Sequence, residues 1–346
     1  MIELREILER LLQRRDLQEA EAGELLVALT DAAVAPAMAG ALLAALRSKG
    51  ITPDEVRGFA GAMRSLARKP QLPPGGPAID IVGTGGDASG SFNLSSAAAL
   101  LVAAMGLRVI KHGNRSVSSR SGSAHLLEAL GLPIPLDEKA AGDCLAATGF
   151  TFLFAPHYHP AMKEVAPVRR ALGVRTVFNL LGPLTNPAEP PFGLIGAYSA
   201  EAAKLMADTL AGMPIQRVFV IHGDPGWDEA TPVGPFELYD VQPGRVTREV
   251  RDPLDLGMQR CTPADLAGGD AEHNAASLRA VFEGRDTGPH CDAIVLNAAL
   301  ALEVTGAVPS AGVGVIAALE AIRHGDAARL LERPGGGGAG GGGGGG

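Results

Sequence analysis

Apolar side chains recur with a helical period through the first 69 residues. The segments 24–29 and 37–47 continue a pattern that begins with Ile7, Leu8, Leu11 and Leu12. Thr52 can cap a further helix, because Pro53 suits the first helical position and two acidic residues follow it. No strand pattern precedes Lys69. Residues 1–70 are therefore predicted to form a small all-helical domain.

The pattern changes after a proline- and glycine-rich break at residues 70–77. Short apolar strands then alternate with Gly-rich turns and helices. Strands are predicted at 78–82, 107–110, 149–155, 193–198, 217–221 and 293–296, and helices include 95–105, 200–211 and 274–282. Pro167 divides the helical segment 159–172 into two short helices. The alternation predicts a larger α/β domain over residues 71–333, with a mostly parallel central sheet between helices. The Gly-rich tail at 334–346 is predicted to be disordered.

Composition excludes several classes of function. The chain has 346 residues, of which 46% are hydrophobic and 20% charged, as in ordinary globular proteins of about two domains. A net charge of −8 and an aromatic content of 4% argue against nucleic acid as a partner. The longest apolar run, at 97–107, is about half a membrane span. Three widely separated cysteines and a charged N-terminal segment predict a soluble, cytoplasmic protein with no membrane partner.

A phosphate-binding region is predicted between the first strand and residue 124. The sequence DIVGTGGD at 80–87 places glycines where a strand meets a helix, so backbone amides can approach an anion. It lacks the Gly-Lys-Ser/Thr of a Walker A loop and the acidic residue of a dinucleotide fingerprint. Residues 88–124 contain no Asp or Glu but many serines and several cations. A polyphosphate ligand fits this composition, and a solvated basic loop is the alternative.

Two further features suggest how a phosphate substrate would be handled. Asp228 and Glu229 follow a predicted strand and are suitable oxygen ligands for Mg²⁺. Arg169 is a candidate anion ligand that the sequence does not separate from its neighbours Arg170 and Arg175. No Gly-x-Ser-x-Gly or HExxH motif is present. The chemistry is therefore expected to depend on positioning and charge stabilisation, without a covalent nucleophile.

Several long motifs together resemble the anthranilate phosphoribosyltransferase family, which joins anthranilate to phosphoribosyl pyrophosphate (PRPP) in tryptophan biosynthesis. The motifs are GTGGD at 83–87, SFNLSS at 91–96, KHGNRSVSSRSGSA at 111–124, HPAMKEVAPVRRALGVRTVFNLLGPLTNPA at 159–188, DE at 228–229, GGDAEHNA at 268–275 and LNAALAL at 296–302. Their order and spacing extend the resemblance from about residue 1 to residue 333.

The resemblance implies an architecture and a set of site residues. The active site would lie in the cleft between the two domains, residues 160–185 would return to the helical domain, and a homodimer would form through the helical domains. PRPP would be bound by Gly83, Gly86, Asp87, Ser91, Asn93, Leu94, Ser95, Ser96, Lys111, His112, Gly113, Asn114, Arg115, Ser116, Val117, Ser118, Ser119 and Ser123. Anthranilate would meet Gly83, Asn114 and Arg169. Two Mg²⁺ ions would be held by Ser95, Asp228 and Glu229, and charge would be stabilised by Lys111, Asp228 and Glu229.

The chain departs from the family pattern at a few positions, and two related functions remain as alternatives. His125 stands where the family usually has Asp, and His273 stands where it usually has Glu. The residues flanking Asp228 and Glu229 also differ from the usual ones. Pyrimidine nucleoside phosphorylases share the implied fold, but their Gly-rich and lysine motifs differ. Relatives that bind nucleic acid without catalysis would need a basic groove, which an acidic chain does not predict.

Overall fold

A computed structural model describes residues 3–87, 89–115 and 121–333 of the chain. The binding roles implied for Ser116, Val117, Ser118 and Ser119, and the disorder predicted for the tail at 334–346, fall outside these residues.

The N-terminal part is helical, as the sequence predicts. Its helices are α1 (Leu4–Leu12), α2 (Glu19–Leu29), α3 (Pro36–Lys49) and α4 (Pro53–Leu66). Thr52 caps α4, because its hydroxyl accepts the Glu55 N–H at 3.3 Å and the Glu55 carboxylate accepts the Thr52 N–H at 2.9 Å. Glu55 is fully buried and also accepts the Leu17 N–H and the Lys49 ammonium group. This carboxylate therefore joins the start of α4 to the end of α3 and to the loop before α2.

A seven-stranded sheet forms the centre of the remainder. In chain order the elements are β1 (Ala78–Gly83), α5 (Leu94–Ala104), β2 (Arg108–Gly113), α6 (Ser123–Ala129), α7 (Glu138–Thr148), β3 (Phe150–Phe154), α8 (Ala155–Tyr158), α9 (Ala166–Leu172), α10 (Phe178–Leu181), β4 (Phe192–Gly196), α11 (Ala200–Leu210), β5 (Arg217–Gly223), β6 (Phe236–Gln242), β7 (Arg245–Arg251), α12 (Ala271–Phe282), α13 (Pro289–Val304), α14 (Ala311–Arg323) and α15 (Asp326–Glu332). The strand order is β3-β2-β1-β4-β5-β6-β7. The first five strands are parallel, and β6 and β7 are antiparallel.

The fold class is confirmed, and one predicted strand is wrong. Residues 293–296 lie inside α13, whose side chains are buried almost throughout from Cys291 to Val304. A helix that is buried on all sides has no polar face, so its short apolar runs resemble those of a buried strand. The sequence prediction also lacked β6 and β7, of which β7 is an edge strand and is mostly exposed, so neither shows a continuous apolar run.

The two faces of the sheet are covered differently. One face packs with α5 and α13 in a core that also contains α14 and α15. On the other face, α11 lies between the sheet and α4, so that the helical domain shares a continuous core with Val82, Ile195 and Val220. Short helices at Pro160–Lys163 and Ala166–Leu172 form the segment predicted as two short helices. Val168 of α9 packs toward Gly40 of α3, which attaches this segment to the helical bundle. Among the described residues, no helix combines the length and apolarity needed to cross a bilayer.

Candidate active site

Four neighbouring parallel strands end in glycine at the same edge of the sheet: β1 at Gly83, β2 at Gly113, β4 at Gly196 and β5 at Gly223. A Cβ on Gly196 would lie 1.5 Å from the Asp228 carbonyl oxygen, and one on Gly83 would lie 2.3 Å from the Asp228 carboxylate. A Cβ on Gly223 would lie 2.1 Å from the Glu229 carbonyl oxygen. The missing side chains therefore make room for the segment that carries both acids.

Asp228 and Glu229 form hydrogen bonds with the segment between β1 and α5. The Asp228 carboxylate accepts the Gly85 N–H at 2.6 Å, and the Asp228 N–H donates to Asp87 at 3.4 Å. Glu229 accepts the Ser95 N–H at 2.9 Å in the first turn of α5 and the Ser91 hydroxyl at 3.3 Å. A carboxylate at a helix N-terminus is stabilised by the unpaired amides there. The acids thus connect the end of β5 to the glycine loop, residues 83–90, and to α5.

Burial makes the charge of this acid pair costly. Asp228 is 8% exposed and Glu229 is 9% exposed. Burial and the nearby Asp87 raise the pKa of Asp228 to about 7, and burial and Asp228 raise the pKa of Glu229 well above its usual value. Lys111 lies beneath them, fully buried, and donates to the Ile81 carbonyl and to the Ser95 hydroxyl. Burial lowers the pKa of Lys111, while the surrounding acids oppose that shift.

This arrangement fits a divalent cation bound together with a phosphate ligand. One buried ammonium group faces several carboxylates, so added positive charge would relieve their mutual repulsion. Within the described ranges no group of three or more His, Cys, Asp or Glu side chains is arranged to hold a metal ion. Mg²⁺ commonly takes one or two carboxylates and completes its octahedron with substrate phosphates and water. Asp228, Glu229 and the Ser95 hydroxyl suit that coordination.

The segment at the end of β2 divides into a buried and an exposed part. His112 donates its N–H to Asp80 at 3.2 Å, and its ring contacts the Gly182 carbonyl at 3.0 Å. Burial, with the neighbouring His159, lowers the pKa of His112 to about 3, so the ring is neutral. Asn114 is exposed, and Arg115 is exposed and pairs with Glu128. A ligand at this segment would meet the side chains of 114 and 115, whereas the His112 ring is directed into the protein.

A ligand at the start of α5 would meet mainly backbone atoms. Leu94 and Ser96 are fully buried, so their side chains are covered, whereas Ser91, Asn93 and Ser95 are half-buried. Asn93 donates to the Ser121 carbonyl at 3.1 Å. Gly113 lies against Phe152, where a Cβ would approach the ring at 2.8 Å.

The departure at His125 keeps a helix-start bond. Its Nδ1 atom accepts the Gly122 N–H at 3.2 Å, in the position that a carboxylate would occupy in a capping box. Ser123 is the first residue of α6 and is half-buried beside this cap. The His273 side chain packs against Gly269, and its N–H is capped by Asp270 at 2.9 Å. Both histidines thus lie at helix starts.

Sequence reasoning did not assign roles to Asn274 and Asn186. Asn274 is buried, accepts the Gly269 N–H at 2.7 Å and donates to Asn93 at 2.9 Å. Asn186 donates to Asp80 and to the Ile110 carbonyl, both at 2.8 Å. Each amide lies in one of the long motifs that carry the family resemblance, at 268–275 and 159–188. Buried polar side chains that satisfy two partners of this kind position the loops around the site.

The three candidate arginines have different surroundings. Arg169 is half-buried on α9, with its guanidinium carbon 5.0 Å from the Phe178 ring centroid. Burial alone lowers its pKa, and no acidic partner for it occurs in the described part of the chain. Arg170 is exposed. Arg175 donates to the Gly86 carbonyl and lies over the Tyr198 ring. Arg169 is therefore the guanidinium with the greatest capacity for a carboxylate ligand.

Comparisons with known proteins agree along most of the chain. The description "Glycosyl transferase family, helical bundle domain" matches residues 5–67, and "Glycosyl transferase family, a/b domain" matches residues 75–328. An anthranilate phosphoribosyltransferase of Chloroflexus aggregans is 42% identical over 331 residues, covering 95% of this chain and 96% of that protein.

Solved structures give the same result. A crystal structure of anthranilate phosphoribosyltransferase from Thermus thermophilus is 43% identical with a TM-score of 0.87, covering 94% of this chain and 97% of that one. The Saccharomyces cerevisiae enzyme in complex with PRPP and Mg is 27% identical with a TM-score of 0.87, covering 95% of this chain and 96% of that one. It is also known in complex with 4-fluoroanthranilate.

Proposed function

We infer the function from one premise: the chain belongs to the anthranilate phosphoribosyltransferase family. It is a glycosyltransferase that transfers the phosphoribosyl group of PRPP to the amine of anthranilate. The products are N-(5-phosphoribosyl)anthranilate and pyrophosphate. The reaction is an intermediate step of tryptophan biosynthesis. Beyond family membership, the observation that carries this function is the buried pair Asp228 and Glu229, bonded to both the glycine loop and the start of α5.

We propose that PRPP binds along the glycine loop, the start of α5 and the end of β2. The amides of the loop and of α5 favour an anion. Gly83, Gly86 and Asp87 form one wall with the side chains or amides of residues 91–96. The other wall comprises residues 111–115 and Ser123, while the remaining candidates Ser116, Val117, Ser118 and Ser119 are outside the described residues. Within this wall the buried Lys111 contributes positive charge.

We further propose that Asp228 and Glu229, with the Ser95 hydroxyl, hold two Mg²⁺ ions beside the pyrophosphate group. The yeast relative is known in complex with PRPP and Mg. When bound, Mg²⁺ neutralises the charge that develops on the departing pyrophosphate. The raised pKa values of the two acids support this assignment, since a cation would restore their ionised form.

Arg169, Asn114 and Gly83 are proposed to receive anthranilate. The Arg169 guanidinium can bind the anthranilate carboxylate in a bidentate pair, and the Asn114 amide can donate to it. The aromatic amine is already neutral at pH 7, so it needs no strong base. Its nitrogen forms a bond to the ribose C1 carbon, the bond from C1 to the pyrophosphate oxygen breaks, and the amine releases one proton.

Three further properties are proposed on indirect support. The helical domain, residues 1–70 with 160–185 returning to it, would mediate a homodimer, and its exposed Leu12 and Val27 give it an apolar surface. The α/β domain would extend over 71–333, with the tail at 334–346 outside it. A cytoplasmic location is proposed because the three cysteines are odd in number and far apart in the sequence, which does not suggest a disulfide framework.

A fluorescence assay tests the proposed function. Anthranilate is fluorescent, and its signal should fall only when the protein, PRPP and Mg²⁺ are present together. Loss of signal without PRPP, or no loss under any condition, would contradict the function. Phosphorolysis of a pyrimidine nucleoside by the same preparation would instead favour the related phosphorylases.

A further inference from the structure

We propose that Arg175 is a positioning residue that holds the glycine loop in the conformation that receives PRPP, and that it connects this loop to the helical domain. The inference rests on the proposed function, because it concerns the pyrophosphate side of the same site. Its evidence is a chain of contacts made by a single residue outside the glycine loop.

The first contact is with the backbone of the loop. One guanidinium nitrogen of Arg175 donates to the Gly86 carbonyl. Gly85 and Gly86 both have positive φ, +68° and +72°, and both are exposed. Consecutive glycines on an exposed loop have many alternative backbone conformations. A bond from a side chain outside the loop therefore restricts the loop where it is otherwise least constrained.

The second contact fixes the guanidinium itself. Its central carbon lies 3.9 Å from the centroid of the Tyr198 ring, a distance that favours a stacked cation–π pair. Tyr198 follows β4, and its N–H donates to the Thr84 hydroxyl at 3.1 Å. Thr84 in turn donates its N–H to the Gly196 carbonyl at 2.9 Å. The aromatic platform and the start of the glycine loop are thus attached to the same end of the sheet.

The third contact leads to the helical domain. The Arg175 carbonyl accepts a hydrogen bond from Arg47, in the last turn of α3, at 2.8 Å. Arg175 therefore links α3, through its backbone, to Gly86, through its side chain. The adjacent loop residue, Gly85, donates its N–H to the Asp228 carboxylate. The loop is therefore held at two neighbouring residues, by an acid of the α/β domain and by an arginine bonded to the helical domain.

The expected consequence is selective for PRPP. Without the Arg175 side chain, the loop would populate more conformations, and binding of the pyrophosphate group would have to order it. Loss of one hydrogen bond from a charged donor corresponds to roughly a tenfold loss of affinity. Among the described residues, Arg175 forms no hydrogen bond or ion pair with Arg169, Asn114 or Gly83, the residues proposed to receive anthranilate, so the KM for anthranilate and the kcat should change by less than about threefold.

The test compares four proteins: wild type, Arg175→Ala, Arg175→Lys and Arg170→Ala. Arg170 is a matched control, since it is an exposed arginine five residues away without a contact to the loop in the described structure. Arg175→Ala should raise the KM for PRPP about tenfold. Arg175→Lys should recover part of this loss, because lysine retains a charged donor but not the flat guanidinium that stacks on Tyr198. Arg170→Ala should resemble the wild type.

A second measurement does not require turnover. In substrate-free protein, hydrogen exchange followed by mass spectrometry should show faster exchange in the peptide that spans the glycine loop for Arg175→Ala, with peptides of α13 unchanged. An unchanged loop, an equal rise in both KM values, or the same effect in Arg170→Ala would overturn the proposal. If no protein consumes anthranilate, the proposed function fails, while the exchange data still decide whether Arg175 holds the loop.

Discussion

Replacing Asp228 by asparagine is expected to stabilise the metal-free protein at pH 8 while impairing catalysis. The Asp228 carboxylate is buried beside Asp87 and Glu229. Asparagine has the same shape, so its amide oxygen can still accept the Gly85 N–H that the carboxylate accepts at 2.6 Å. Its NH₂ group can donate to Asp87. The substitution therefore removes a charge and leaves the local packing in place.

The size of this stabilisation follows from the pKa shift of Asp228. Burial and Asp87 raise the pKa of Asp228 from 3.8 to about 7, and each unit corresponds to about 1.4 kcal/mol. The ionised folded protein is thus destabilised by up to about 4 kcal/mol above pH 7. Lys111 loses one of its anionic neighbours in the variant, so we expect a net gain of about 2 kcal/mol.

The direction of the Asp228 pKa shift sets the pH dependence of the stability. Because the folded pKa is the higher one, the stabilising effect of a protonated Asp228 is complete below pH 3.8 and is lost as the pH rises through about 7. Thermal unfolding in a chelator should give the variant a Tm several degrees above wild type at pH 8, and this difference should shrink steadily as the pH falls toward 4. Its activity should need far more Mg²⁺, because an amide is a poorer ligand for a hard cation. A lower Tm at pH 8, or normal activity at low Mg²⁺, would refute this reasoning.

Three other substitutions test separate parts of the account. Arg169→Ala should raise the KM for anthranilate much more than the KM for PRPP, since a bidentate charged pair contributes roughly 1.5–3 kcal/mol. Equal changes in the two KM values would show that another residue binds the anthranilate carboxylate. Gly86→Val should abolish turnover because φ at this position is +72°, while circular dichroism stays unchanged; an active variant would contradict that. Glu55→Ala should lower the free energy of unfolding by about 3–5 kcal/mol, because it leaves the buried Lys49 ammonium group without this acid. Lys49 also pairs with Asp16, and a loss below about 1 kcal/mol in denaturant unfolding would show that this second ion pair is enough to stabilise the buried charge.

The elements with regular patterns could be predicted from the sequence. The start of α4 is predicted because Thr52, Pro53 and the following acids form a local signal, and the structure confirms Thr52 as the cap. The strand predicted at 293–296 was wrong because its environment, not its composition, decides between helix and strand. Burial on all sides is a property of the packed α13, which no short window of sequence contains.

The site shows the same division between local and long-range information. Asp228 and Glu229 were recognised as adjacent acids, but their burial and raised pKa values arise from contacts with the glycine loop and α5, more than 130 residues away. The glycines that end β1, β2, β4 and β5 are visible in the sequence, but the reason for them is not local. Gly196 and Gly223 lie against the segment that carries the acids, which is distant in the sequence.

The claim that this site joins anthranilate to PRPP is tested most directly by the reaction products. Wild-type protein should release one pyrophosphate for each anthranilate consumed, and mass spectrometry should identify N-(5-phosphoribosyl)anthranilate. Neither should form with Gly86→Val. Pyrophosphate release without anthranilate consumption, or anthranilate loss without the phosphoribosyl product, would contradict the claim.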